Sequence, residues 1–325
     1  MIYIENTCTD PGYNLAFEEY VFTSMDFKEP VLLLWQNEPS VIVGRFQNTL
    51  EEINYDFIRD KGVHVVRRNT GGGAVYHDLG NLNYSFIIPD VVSKVDFKTF
   101  TIPVVKALQS KGIDAVQTGR NDIVIGDQKF SGNAQQFKNH KMLHHGTLMF
   151  DVETDNVAKA LKVKPGKFRS KATKSVRSRV INLKPLLDVE TTAEFKTLLK
   201  EWFDREYGLR EMKLTQSQLK AVEVLRDTKY ATDEWNFGKS PRADVVRGDF
   251  FRCGEITFNF RIDKHRITGV KITGDFFTSG DIEQLEKSFA GIEYKREEIL
   301  RVLQEADLGS LFGDVTAEEL AEVIV

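Results

Sequence analysis

The chain has 325 residues, 41% of them apolar and 28% charged, with a formal net charge of −4 at pH 7. It is longer than the roughly 250–300 residues at which single cores stop growing, and its charge makes no global case for binding nucleic acid, so any anion site must be local. Two distant cysteines, Cys8 and Cys253, exclude a disulfide framework and a zinc cluster; with no run near the ~20 apolar residues of a membrane span and no basic-then-apolar start, a soluble, unexported protein of the cytoplasm is expected, with no membrane partner.

In chain order, a short strand opens the sequence, and Asp10-Pro11-Gly12 reads as a turn into a helix over residues 13–22. Residues 31–35 and 41–44 are strand-like runs separated by a polar turn, and one helix is expected from Glu51-Glu52 to about Lys61, stopped by Gly62. Then comes the richest stretch, Arg67-Arg68-Asn69-Thr70-Gly71-Gly72-Gly73-Ala74-Val75-Tyr76-His77-Asp78-Leu79-Gly80-Asn81, between strand-like runs at 63–66 and 82–88. Glycine lets backbone N–H groups approach a ligand closely, and guanidinium groups add donors suited to phosphate or carboxylate. An anion-binding loop and an ordinary surface hairpin both fit this pattern.

Apolar spacing predicts a helix over residues 96–111, closed by Gly112, with Pro103 near its first turn. Strands are expected at 113–116 and 123–125, around Gly119-Arg120-Asn121-Asp122, followed by a turn at 126–128, a return strand at 129–135 and another strand at 144–150. Residues 162–179 are the most basic stretch and read as a loop. Helices follow at 193–207 and 215–226, and Gly238 and Pro241 mark a domain edge, giving domains of residues 1–241 and 242–325. The second carries a β-hairpin (255–262 and 266–272) and helices, an α+β pattern.

These blocks resemble one family closely, lipoate-protein ligase. The resemblance rests on Arg67-Arg68-x-x-Gly-Gly-Gly-Ala-Val-Tyr-His77-Asp78-x-Gly80-Asn81, Gly119-Arg120-Asn121-Asp122, Lys129-x-Ser131-Gly132-x-Ala134, His144-His145-Gly146-Thr147-Leu148, Ser175-Val176-x-Ser178-Arg179-Val180-x-Asn182-Leu183 and Trp235-Asn236-Phe237-Gly238, in the family's order over nearly the whole chain. It implies an α+β fold: a biotin/lipoate-ligase-type catalytic domain of mixed sheets and helices, with a small accessory domain. It also implies two steps: ATP, with Mg²⁺, and lipoate give lipoyl-AMP and pyrophosphate, and the lipoyl group then passes to an acceptor lysine. The implied acceptors are the lipoyl domains of 2-oxoacid dehydrogenase E2 subunits and the glycine-cleavage H protein.

Joining a carboxylate to ATP brings two anions together, so the site must neutralise charge and hold the attacking oxygen near the α-phosphorus. By the resemblance Lys129 holds the lipoate carboxylate and the α-phosphate at once, and Arg68 with the Gly73-Ala74-Val75-Tyr76 backbone cradles ATP. His77, Asn81 and Asp122 join the nucleotide set, Asp122 also as a candidate Mg²⁺ ligand. Lipoate is assigned to Lys129, Trp35, Arg68, Gly72 and His145, with Val43, Gly44, Arg45 and Phe46 as further candidates at a tunnel mouth. Strand alternation leaves Arg67 either structural or functional. His77 and His145 fit as bases, ligand contacts or loop anchors; adenylation of an ionised carboxylate demands no base.

Three other readings stay open. An octanoyl or lipoyl transferase working through a thioester needs a cysteine near the lysine motif, and residues 129–150 contain none. A non-catalytic binding module would keep the pocket. A biotin ligase lacks support from the glycine block.

Overall fold

The computed structural model describes residues 1–91, 97–119, 121–162, 179–238 and 241–325. Arg120, residues 163–178 of the basic stretch and residues 239–240 of the expected domain edge lie outside them. The strands, in chain order, are β1 (Ile2–Ile4), β2 (Val31–Trp35), β3 (Ser40–Val43), β4 (His64–Arg67), β5 (Val75–His77), β6 (Asn81–Ile88), β7 (Ala115–Thr118), β8 (Asp122–Ile125), β9 (Gln128–Lys138), β10 (Lys141–Met149), β11 (Arg210–Met212), β12 (Val245–Phe251), β13 (Gly254–Asp263) and β14 (Arg266–Gly274). Eight of them form a mixed sheet in the order β11-β1-β2-β6-β10-β9-β8-β7, and β4-β3-β5 and β12-β13-β14 form two three-stranded sheets. The architecture is α+β, as expected.

Side chains alternate across the large sheet, so its two faces build two cores. Tyr84 and Phe86 of β6 pack under α4 (Phe97–Gln109) and the helix Thr192–Tyr207. Leu33 and Trp35 of β2, with Ile87 and Leu143, face α1 (Pro11–Ser24) and the helix Gln216–Leu225. A separate core gathers the β12-β13-β14 sheet and the helices of residues 282–324, with Phe46 packed against it.

Several local expectations are corrected. Asp10 caps α1 by accepting from the Tyr13 N–H, so Pro11 and Gly12 are its first turn, where proline's missing N–H costs nothing. The run over 51–61 divides into Thr49–Glu52 and Tyr55–Lys61, because Ile53 turns extended to bridge Leu161 and Asn54 caps the second helix. Pro103 sits inside α4, beyond its first turn, rather than near it. β2 and β3 look like hairpin partners but enter different sheets, and β5 and β12 add strands the pattern did not mark.

Candidate active site

A cavity of about 270 Å³ opens between the large sheet, α1 and the β4-β3-β5 sheet. Its floor follows from register. Trp35 pairs with Asn83 and Asn83 with Thr147, whose hydroxyl accepts from the Gly132 N–H at 3.1 Å, making one row across four strands. Two residues along, Ser85 pairs with His145 and His145 with Ala134, making the next row on the same face. Leu15 of α1 forms one wall, Ile42, Arg68 and residues 72–75 with His77 the other, and Phe277 of the C-terminal unit reaches the cavity edge.

Lys129 stands at the start of β9, where the β8-β9 pairing shifts register between Ile123 and Val124. Such a shift re-aims side chains. Its ammonium lies 2.7 Å from Asp122 Oδ1, with its side chain 40% exposed, and reaches back over Gly132, where any Cβ would press on it. The site thus holds a half-solvated cation in the cavity lining.

Hydrogen-bond partners resolve the two arginines. Arg67 is wholly buried and donates to the carbonyls of Gly44 (2.8 Å), Gln47 (2.7 Å) and Trp235 (2.9 Å) and to Thr49 Oγ (2.6 Å), so it is structural. Arg68 turns to the cavity and gathers the glycine loop, donating to the carbonyls of Gly71 (2.7 Å), Gly73 (2.9 Å) and Ile42 (3.1 Å) and to Thr70 Oγ (2.9 Å). Burial lowers each guanidinium to about 10, which leaves both charged at neutral pH. Gly72 has φ 93°, and a Cβ on Gly44 would strike its carbonyl oxygen, so the loop folds tightly onto β3 only with glycine at both places.

The histidines divide in the same way. His145 is anchored: its Nδ1 lies 3.0 Å from both oxygens of buried Glu18 and its Nε2 2.9 Å from Thr70 Oγ. Ser85 Oγ donates to Glu18 at 2.6 Å and receives the Trp35 indole N–H at 2.9 Å. His77 is held down to about 3, first by burial and then by the Arg68 charge, so it is a neutral ring at physiological pH. His144 lies on the opposite face against Phe97, Phe100 and Tyr84.

The structure therefore brings Trp35, Arg68, Gly72, Gly73, Ala74, Val75, His77, Lys129 and His145 to one cavity. It places the others outside its lining. The Tyr76 and Val43 side chains enter the core beneath the small sheet, Asn81 stands behind Asn83, and Asp122 pairs with Lys129. Arg45 covers Trp235 at 5.0 Å, Gly44 backs the glycine loop, and Phe46 stacks on Phe276 of the C-terminal unit, so none of the residues 43–46 expected at a tunnel mouth lines this cavity. Asn83, which the sequence offers equally as a nucleotide-edge contact or a strand-start residue, lines the cavity, and sequence reasoning does not reach Glu18, Thr70 and Phe277. Glu18's only signal was a carboxylate inside the apolar run of α1.

Residues 10–204 match the family profile described as the lipoyl protein ligase A/B catalytic domain, and residues 240–324 the one described as the bacterial lipoate protein ligase C-terminus. The chain belongs to the lipoate-protein ligase family. It is 42% identical to "Lipoate-protein ligase LplJ" of Bacillus subtilis over 330 residues, covering 100% of both chains. Among solved structures it is similar to LipL1 of P. falciparum in complex with lipoate (TM-score 0.77, 26% identity, 94% of each chain covered). It is also similar to a lipoate-protein ligase A bound with ATP (TM-score 0.65, 29% identity, covering 74% of this chain and 100% of that one). In a lipoate-protein ligase, the cavity's cationic end and its apolar lining by Leu15, Trp35, Ile42 and Val75 have a direct chemical use. Among the described residues no helix is long and apolar enough to cross a membrane.

Proposed function

We propose that this ligase activates lipoate with ATP to lipoyl-AMP in the cavity above the large sheet and passes the lipoyl group to an acceptor lysine. The observation that carries the reading is the meeting of Lys129, the Arg68-held glycine loop and the apolar side chains of Leu15, Trp35, Ile42 and Val75 in one cavity. Lys129 holds the lipoate carboxylate and the α-phosphate together, so the carboxylate oxygen forms its bond to phosphorus as the bond to pyrophosphate breaks. Arg68 keeps the backbone of residues 71–73 in place and supplies positive charge beside it. His145, fixed by Glu18, and Trp35, fixed by Ser85, bound the acyl chain.

Asp122 orients Lys129. Among the described residues no three His, Cys, Asp or Glu side chains group to hold a metal, and Asp122 is already paired, so these residues do not form a resident Mg²⁺ cage; Mg²⁺ belongs with the ATP phosphates. Residues 1–241 form the catalytic domain and 242–325 the accessory domain. The acceptors are lipoyl domains of E2 subunits or the H protein, met in the cytoplasm.

Pyrophosphate exchange into ATP that requires added lipoate tests this. Exchange with lipoate, followed by labelling of an isolated lipoyl domain, is the expected result. Transfer from an acyl-carrier donor without exchange would favour the transferase reading, against which Cys8 and Cys253 both stand outside the cavity lining.

A further inference from the structure

Two buried N–H donors in the cavity wall have no hydrogen-bond partner among the described residues, His77 Nε2 and Asn83 Nδ2. His77 is 3% and Asn83 2% exposed. Burying a donor without a partner is costly, so two such donors on residues lining one cavity point to a ligand acceptor.

The orientation of His77 is fixed from behind. Asn14 Nδ2 faces the carbonyls of Cys8 (3.0 Å) and Gln36 (2.7 Å), which can only accept, so its amide has one orientation. The same nitrogen has only two hydrogens, so it reaches Asn37 Oδ1 at 2.9 Å through one shared with a carbonyl, and this turns the Asn37 amide nitrogen to His77 Nδ1 at 3.1 Å. His77 Nδ1 must therefore accept, and the ring hydrogen sits on Nε2. Asn81 Nδ2 lies 3.0 Å from Asn83 Oδ1, which leaves the NH₂ of Asn83, a cavity-lining residue, without a partner.

Resting on the adenylation reading above, we infer that His77 Nε2–H and Asn83 Nδ2–H together bind the acyl carbonyl oxygen of the adenylate. Asn83 lies in the same floor row as Gly132, over which Lys129 reaches, and one row short of Ser85 and His145. That is the junction between the charged end and the acyl chain. Both donors are neutral, which suits a carbonyl better than a phosphate already served by Lys129. In transfer, the acceptor amine nitrogen bonds to the carbonyl carbon and the C=O π pair moves onto this oxygen. The pair returns as the C–O bond to AMP breaks, AMP leaves with that bond's electrons, and the amine loses a proton to solvent. Donors placed at the oxygen stabilise its transient negative charge.

The test compares two charge-matched, unreactive ligands: the adenosine β-ketophosphonate carrying the lipoyl chain, and its counterpart with CH₂ in place of the ketone. At about tenfold per hydrogen bond, wild-type protein is expected to prefer the ketone on the order of 100-fold. Asn83→Leu and His77→Leu should each cut that preference about tenfold, and His77→Gln, which keeps an N–H donor, should retain it. A wild-type preference near one, or variants that weaken both ligands equally, would overturn the inference alone. Failure of wild-type protein to bind either ligand would overturn the adenylation reading and this inference with it.

Discussion

Arg67 and Asn236, 169 residues apart, hold each other on both sides: Asn236 Oδ1 accepts the Arg67 backbone N–H at 2.9 Å, and its carbonyl accepts from the guanidinium at 3.1 Å. The short helix of residues 233–237 is thereby bound to the strand that enters the glycine loop. Arg67→Met would leave several buried carbonyls without donors, so it should lower unfolding free energy by more than about 3 kcal/mol. Urea denaturation measures this. A stable Arg67→Met protein that has lost only catalysis would show that Arg67 belongs to the chemistry instead.

Lys129 should behave oppositely. Its side chain is 40% exposed and its partner Asp122 36%, so the pair adds little to stability. Lys129→Ala is expected to leave the urea midpoint essentially unchanged, within about 0.5 kcal/mol, and to abolish lipoate-dependent pyrophosphate exchange. Near-normal exchange by that variant would remove Lys129 from the reaction.

These two residues also mark what the sequence could disclose. Residue type and the block order made Lys129 and the glycine loop legible, and strand parity posed the Arg67/Arg68 question correctly. Deciding it required Asn236 and Trp235, which only tertiary folding brings near. Helices such as Thr192–Tyr207 were visible from local periodicity, whereas β2 and β3 have hairpin spacing and yet part into separate sheets. Val75–His77 is too short to mark itself as a strand. Asn83 reaches the cavity through sheet register, and Glu18, Thr70 and Phe277 come to it only through folding. No local pattern encodes either.

Gly71 tests how the C-terminal unit meets the loop. The Gly72 N–H donates to the Phe276 carbonyl at 3.3 Å, and a Cβ on Gly71 would collide with that same oxygen. Gly71→Ala should cost about 1–3 kcal/mol through that overlap. Gly269→Ala, where a Cβ meets nothing within 4 Å, is the control and should stay within about 0.5 kcal/mol. Equal denaturation midpoints for the two variants would show that the loop and the 274–277 segment do not hold this contact in solution.

His77 links stability to pH with a definite sign. Its folded value is about 3 against an ordinary 6.5. Between those limits the unfolded chain binds the extra proton, so this contribution is complete above about pH 6.5 and is lost as pH falls toward 3, at about 1.4 kcal/mol per pH unit. Buried His144 acts in the same direction. From pH 6.5 to 5, His77→Gln should therefore lose about 2 kcal/mol less unfolding free energy than wild type. Urea titrations at both pH values read the difference directly. Parallel losses in the two proteins would mean that the His77 ring takes up its proton in the folded state at an ordinary pH, and so is not the neutral, oriented donor that the Asn14–Asn37 relay requires.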